Sequence, residues 1–198
     1  MDNLLKLVQT LGKNINNQIP IRQLSKESKI PYTTAHRLVK NNRNLFNITE
    51  KGNIKLVSLN LKDSITKNYL ILAERSESDY FLKKEPQFKV LKEELPKSNY
   101  SLILFGSRAE GKGREKSDID LCIINKDGKK NVSFSKFELL FKVEINPIYL
   151  SNKEFKQMLK EEEQNLAKEI IKKHIILYGE EYFWNLIWNN KNHRFLSI

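Results

Sequence analysis

Asp118 and Asp120 stand one residue apart at the mouth of an apolar run, alternating with Ile119, Leu121, Ile123 and Ile124. A carboxylate carried toward a core costs several kcal/mol unless a cation or hydrogen bonds compensate. Side chains at i and i+2 of a strand share one face, about 7 Å apart. Two carboxylates so placed can share divalent cations, which favour oxygen ligands and leave positions open for water or phosphate. A third carboxylate on a neighbouring strand completes a two-metal site with ions about 4 Å apart. Glu144, inside the apolar run FKVEINPIYL, is the candidate. The compensating charge is read as magnesium.

Ten residues separate Asp118 from Ser107, which follows Gly106 at the end of the short apolar stretch Ser101–Phe105. A strand ending in Gly-Ser and turning into a helix aims free backbone N–H groups outward. Small residues there let a phosphate approach the backbone closely. The loop to Asp118 carries Arg108, Lys112, Arg114 and Lys116, cations that can screen phosphate charge or simply form a solvated basic loop. Cys122, beside the aspartates, is expected to be a small core residue, His174 to be structural, and Trp184 with Trp188 to pack a terminal helix.

The spacing G-S-x10-D-x-D resembles the nucleotidyltransferase signature of the DNA polymerase β-like superfamily. It is matched by Gly106, Ser107, Asp118 and Asp120, with SDIDL at Ser117–Leu121 resembling the minimal nucleotidyltransferases. The third acidic position of that family falls on Glu144, where aspartate is more usual. Glutamate displaces the carboxylate by about 1 Å, a shift that matters to positioning. The resemblance covers about residues 90–188, including HIILYGEEYF near the end. It implies a magnesium-dependent transfer of a nucleoside monophosphate, AMP from ATP, to an acceptor hydroxyl. Gly106, Ser107, Arg108 and Ser117 would hold the nucleotide, Asp118 and Asp120 two Mg²⁺ ions, and Glu144 would complete the site and help activate the acceptor. Minimal nucleotidyltransferases also resemble antitoxins that add AMP to HEPN-type toxin proteins. Antibiotic or RNA acceptors, or a regulator whose transferase domain binds nucleotide or partner without catalysis, are the alternatives.

The rest of the chain must position these residues and supply a partner surface. Its net charge is +11, and residues 1–60 hold ten basic against three acidic side chains. That bias suits a polyanion, because cations near phosphates release counterions. Leu4, Leu5, Leu7, Val8 and Leu11 recur at helical spacing, a second helix fits Ile21 to Lys29, and a third Tyr32 to Lys40 after the break at Ile30-Pro31. LFNITEKGNIKLVSLN reads as a hairpin turning at Glu50–Asn53. Three helices and a hairpin resemble a winged helix-turn-helix. Tyr32, Thr33, Thr34, His36 and Arg37 would then meet double-stranded DNA in the major groove, and Lys51, Lys40 and Arg43 its backbone.

The fold class expected is α+β: a winged helix-turn-helix at 1–60, a helical connector at 61–95, and a small mixed-sheet nucleotidyltransferase domain with flanking helices at 96–198. A single cysteine, Cys122, excludes an internal disulfide and a thiolate cluster. No apolar run is long enough to span a bilayer, and MDNLLKLVQT lacks a secretory pattern. A cytoplasmic protein with no membrane contact is expected.

Overall fold

The structure, a computed structural model, describes residues 1–15, 17–113, 117–130 and 132–188. Among them are ten helices and two sheets, a mixed α+β architecture. The chain divides into two compact units, one of them Met1–Ser76 and the other the described residues from Glu77 onward.

In the first unit, α1 (Asn3–Lys13) begins where the Asp2 carboxylate accepts the Leu4 N–H at 2.8 Å, capping a free donor of the first turn. Its apolar stripe buries Leu7, Val8 and Leu11. α2 (Ile21–Ser28) buries Ile21 and Leu24, and ends at Lys29 in the left-handed region, φ 56°. Ser25 Oγ donates to the Ile30 carbonyl at 2.7 Å across that turn. Pro31, whose fixed φ suits a helix start, then precedes α3 (Tyr32–Asn41), which buries Ala35 and Val39. The hairpin follows as β2 (Phe46–Lys51) paired antiparallel with β3 (Ile54–Leu59), Glu50 opposite Lys55. A strand that the sequence reading did not foresee, β1 (Ile19–Pro20), adds to the other edge of β3, with Ile19 opposite Val57. Two residues ending in proline carry no alternation to read, and only the pairing makes them a strand.

The boundary between the units falls within α4 (Ser64–Lys84). The second unit continues with α5 (Pro86–Glu94), whose Phe88 and Leu91 point inward. Its sheet consists of β4 (Tyr100–Leu104), β5 (Ile119–Asn125), β6 (Ile145–Ser151) and β7 (Ile175–Tyr178) in the order β6-β5-β4-β7. β5 and β6 are parallel and the other pairs antiparallel. One face packs Leu102, Leu104, Ile119, Leu121, Ile123 and Ile145 against Phe88 and Leu91 of α5 and against Phe137 of α7 (Ser135–Phe141). Alternate residues Ile103, Cys122, Ile124 and Ile176 are equally buried outside that cluster. α8 (Asn152–Lys160) and α10 (Glu180–Trp188) contact β4 to β6 and bring buried Phe155, Phe183 and Trp184. α8 opens on a capping box, Ser151 and Glu154 each satisfying the other's backbone N–H. α9 (Leu166–Lys172) lies against α8.

Burial explains four residues set apart from the chemistry. The Cys122 thiol is pushed up to about 12 by desolvation and is therefore inert. His174 is buried with Nδ1 against the Ile170 carbonyl. Trp184 is fully buried and Trp188 half-buried. No described helix is long and apolar enough to cross a membrane.

Candidate active site

The last residues of β4 and the first of β5 lie side by side, because Leu104 pairs with Leu121. One step on, the Phe105 N–H donates to the Asp120 carbonyl at 3.1 Å. The chain then turns at Gly106, φ 69°, into the single helical turn α6 (Gly106–Ala109). A Cβ built on Gly106 would stand 2.3 Å from Asp120 Oδ2 and 3.2 Å from its Cγ. Glycine is needed there twice over, for its left-handed backbone and for the space the carboxylate occupies. The Gly-Ser turn and the D-x-D strand are thus in direct contact. Ser107 is exposed and Asp120 half-buried, whereas Asp118 is open to solvent.

Parallel pairing aligns Ile119 with Ile145 and Asp120 with Asn146, and the Ile119 N–H donates to the Glu144 carbonyl at 2.9 Å. Asp118 and Glu144 therefore stand one residue ahead of the same register pair. Ile119 and Ile145 both enter the core cluster, so alternation turns Asp120 and Asn146 to the opposite face. Glu138 of α7 fixes the start of β6, accepting the Ile145 N–H at 3.0 Å, a bond with no signal in the sequence. Among the described residues, however, no three carboxylate, imidazole or thiol side chains form a group that could hold a metal ion. Carboxylate oxygens are the donors a hard divalent ion prefers, so Asp118 and Asp120 fit magnesium in kind.

Arg108 and Ser117, both expected at the nucleotide, are bonded to one another. Arg108 Nε and Nη2 donate to the Ser117 carbonyl at 3.0 and 2.6 Å. A planar guanidinium presents two parallel donors in this way and a lysine does not. The fork ties α6 to the residue just ahead of Asp118. Gly113 lets the Arg108 side chain pass, since a Cβ there would stand 2.5 Å from Arg108 Cγ. Arg114 and Lys116 lie outside the described residues.

Glu110 anchors the same loop. Its carboxylate meets Lys112 Nζ at 2.7 Å and Lys173 Nζ at 2.6 Å. The Lys112 bond first, then that from Lys173, lowers its pKa from 4.5 to about 2. A carboxyl lowered on folding adds stability that is complete above pH 4.5 and lost as pH falls toward 2. Glu110→Gln should therefore melt below the native chain above pH 4.5, the gap closing toward pH 2. Paired melting curves across that range check this; a gap independent of pH would refute it.

In the first unit, Tyr32, Thr33 and Arg37 are exposed on α3, while Thr34 and His36 are half-buried. The Tyr32 and His36 rings lie 5.9 Å apart, one turn separated. Lys51 is exposed at the hairpin end. His36, Lys40 and Arg43 line a pocket of about 210 Å³ with Lys55 and Glu50, which are themselves paired at 3.6 Å.

Residues 89–182 match the family model described as polymerase beta, nucleotidyltransferase. The match supports the nucleotidyltransferase superfamily for this segment and, at the general level, nucleotidyl transfer. No curated protein and no solved structure matches the sequence.

Proposed function

We propose that the second unit transfers a nucleoside monophosphate, AMP from ATP, to an acceptor hydroxyl, the α-phosphorus exchanging its bond to the leaving pyrophosphate for one to that oxygen, with the help of divalent ions at Asp118 and Asp120. The observation that carries this reading is the contact between the glycine turn and the Asp120 carboxylate. It sets a backbone turn free of any side chain directly beside Asp120. Magnesium, when bound, would neutralise triphosphate charge and align attacking and leaving oxygens. Gly106 and Ser107 would offer backbone and hydroxyl donors to the phosphates. Arg108 would hold Ser117, and through it Asp118, in register. Glu144 would take the proton of the acceptor hydroxyl.

The test is incubation of the full chain with Mg²⁺, α-labelled ATP and candidate acceptors. Label transfer supports the reading; nucleotide binding without transfer to any acceptor supports a regulator in its place. One observation favours that second reading, the lack of a third ligand grouped with the aspartates among the described residues.

The first unit we read as a winged helix-turn-helix on duplex DNA. The exposed Tyr32, Thr33 and Arg37, with Thr34 and His36, would enter the major groove, and Lys51 would meet the backbone. A HEPN-type toxin protein is the acceptor that the family resemblance suggests, with autoregulation through the DNA-binding unit. Arg37→Ala should weaken duplex binding about tenfold and make the dependence on log salt shallower by about 1. Titrations at two salt concentrations check it. Duplex affinity indifferent to salt would leave the unit without a DNA role.

A further inference from the structure

A second concave site lies at the opposite end of the sheet from the aspartates. The last turns of α4, the outer side of α5 and Tyr178 of β7 enclose a groove of about 730 Å³. Tyr178 pairs with Leu102, which pairs with Ile123, four residues along β5 from Ile119. At 3.3 Å per residue that is about 13 Å from the acidic pair, so this is not the reacting centre.

Lys83, Lys89, Lys92 and Lys97 supply four of the nine lining residues. The chain as a whole has 28 lysines in 198 residues, one in seven, so composition alone does not account for the cluster. Asp79 and Glu93 offset two of the charges. The Lys89–Glu93 contact, at 3.9 Å between exposed groups, is a weak one. Lys83, Lys92 and Lys97 have no carboxylate partner among the described residues. Like charges gathered around one concavity repel one another and focus a positive field into it, a cost that a polyanion removes.

The groove also offers an aromatic surface held in place. The Tyr178 ring lies 4.9 Å from that of Tyr100, and its hydroxyl donates to the Ser98 carbonyl at 3.2 Å. Leu82 adds an apolar wall. Cations that follow a phosphate backbone beside a fixed ring on which a base can stack make up the recognition mode for single strands. A duplex keeps its bases in its own stack and would leave the ring unused.

We infer that this groove docks a single polynucleotide strand, DNA or RNA alike, by its phosphates and one stacked base. The inference is independent of the catalytic reading. The test is fluorescence anisotropy of labelled dT12 and rU12 with the full chain at low and moderate salt. Both strands should bind, and the triple variant Lys83→Gln, Lys92→Gln, Lys97→Gln should lose at least tenfold in affinity. Its log-log salt slope should be shallower by about 2, or 0.7 for each of three phosphate contacts. Tyr178→Leu should cost about tenfold and Tyr178→Phe should retain the affinity, because stacking needs the ring and not the hydroxyl. Native-like binding by the triple variant would overturn the proposal. So would a duplex of equal length displacing the strand, or a poly-glutamate peptide competing as well as the oligonucleotides.

Discussion

Asp118→Asn and Asp120→Asn, each made singly, should lower transfer of label from α-labelled ATP by about 10³-fold. Asparagine keeps the size of aspartate and one oxygen but removes the charge that attracts a hard divalent ion. Catalysis of phosphoryl transfer consists largely of positioning and of neutralising charge on the transferring group. A loss of 10³ corresponds to about 4 kcal/mol, the size seen when one preorganised electrostatic partner is removed from a transition state. Folding should survive in Asp118→Asn, since Asp118 is open to solvent. Its thermal melt therefore serves as the control. Chelation should mimic the substitutions, and added Mg²⁺ should restore the native chain while leaving both variants silent. Transfer that persists within tenfold in both variants would show that these carboxylates do not hold the ions.

Gly106→Ala should damage stability and chemistry together. An L-residue held at φ 69° costs about 1–2 kcal/mol. The added methyl would also sit 2.3 Å from Asp120 Oδ2, a distance no real contact allows. Either the turn changes its backbone or the Asp120 carboxylate swings aside. The first outcome removes the phosphate-facing donors and the second moves the acidic partner. A displacement of about 1 Å at a reacting centre costs about 10²-fold, so transfer should fall by that factor. The melting temperature should drop by several degrees. A variant that melts lower yet transfers at the native rate would separate the glycine turn from the reaction.

Much of this was legible in the chain because its signals are local. The stripe of Leu7, Val8 and Leu11 specifies α1, and Pro31 after the break at Ile30 specifies where α3 begins. The alternation of Ile119, Leu121 and Ile123 specifies which face of β5 is buried. The spacing of Gly106, Ser107, Asp118 and Asp120 resembles a family signature, and the turn and the strand do lie in contact. The groove between α4 and α5 was not legible, since its lysines look like any solvated helix face until Tyr178, some eighty residues later, closes one side.

Apart from β1, the covalent order of the chain determined the elements of the first unit, the acidic pair and the glycine that must accompany it, because periodicity and backbone freedom are properties of neighbouring residues. Only the tertiary structure decided that Ile119 aligns with Ile145 and that Arg108 grips the Ser117 carbonyl instead of facing solvent. Those outcomes depend on strand register and side-chain reach across separate segments. A shift of one residue in register reverses every face, and nothing local to either segment fixes it.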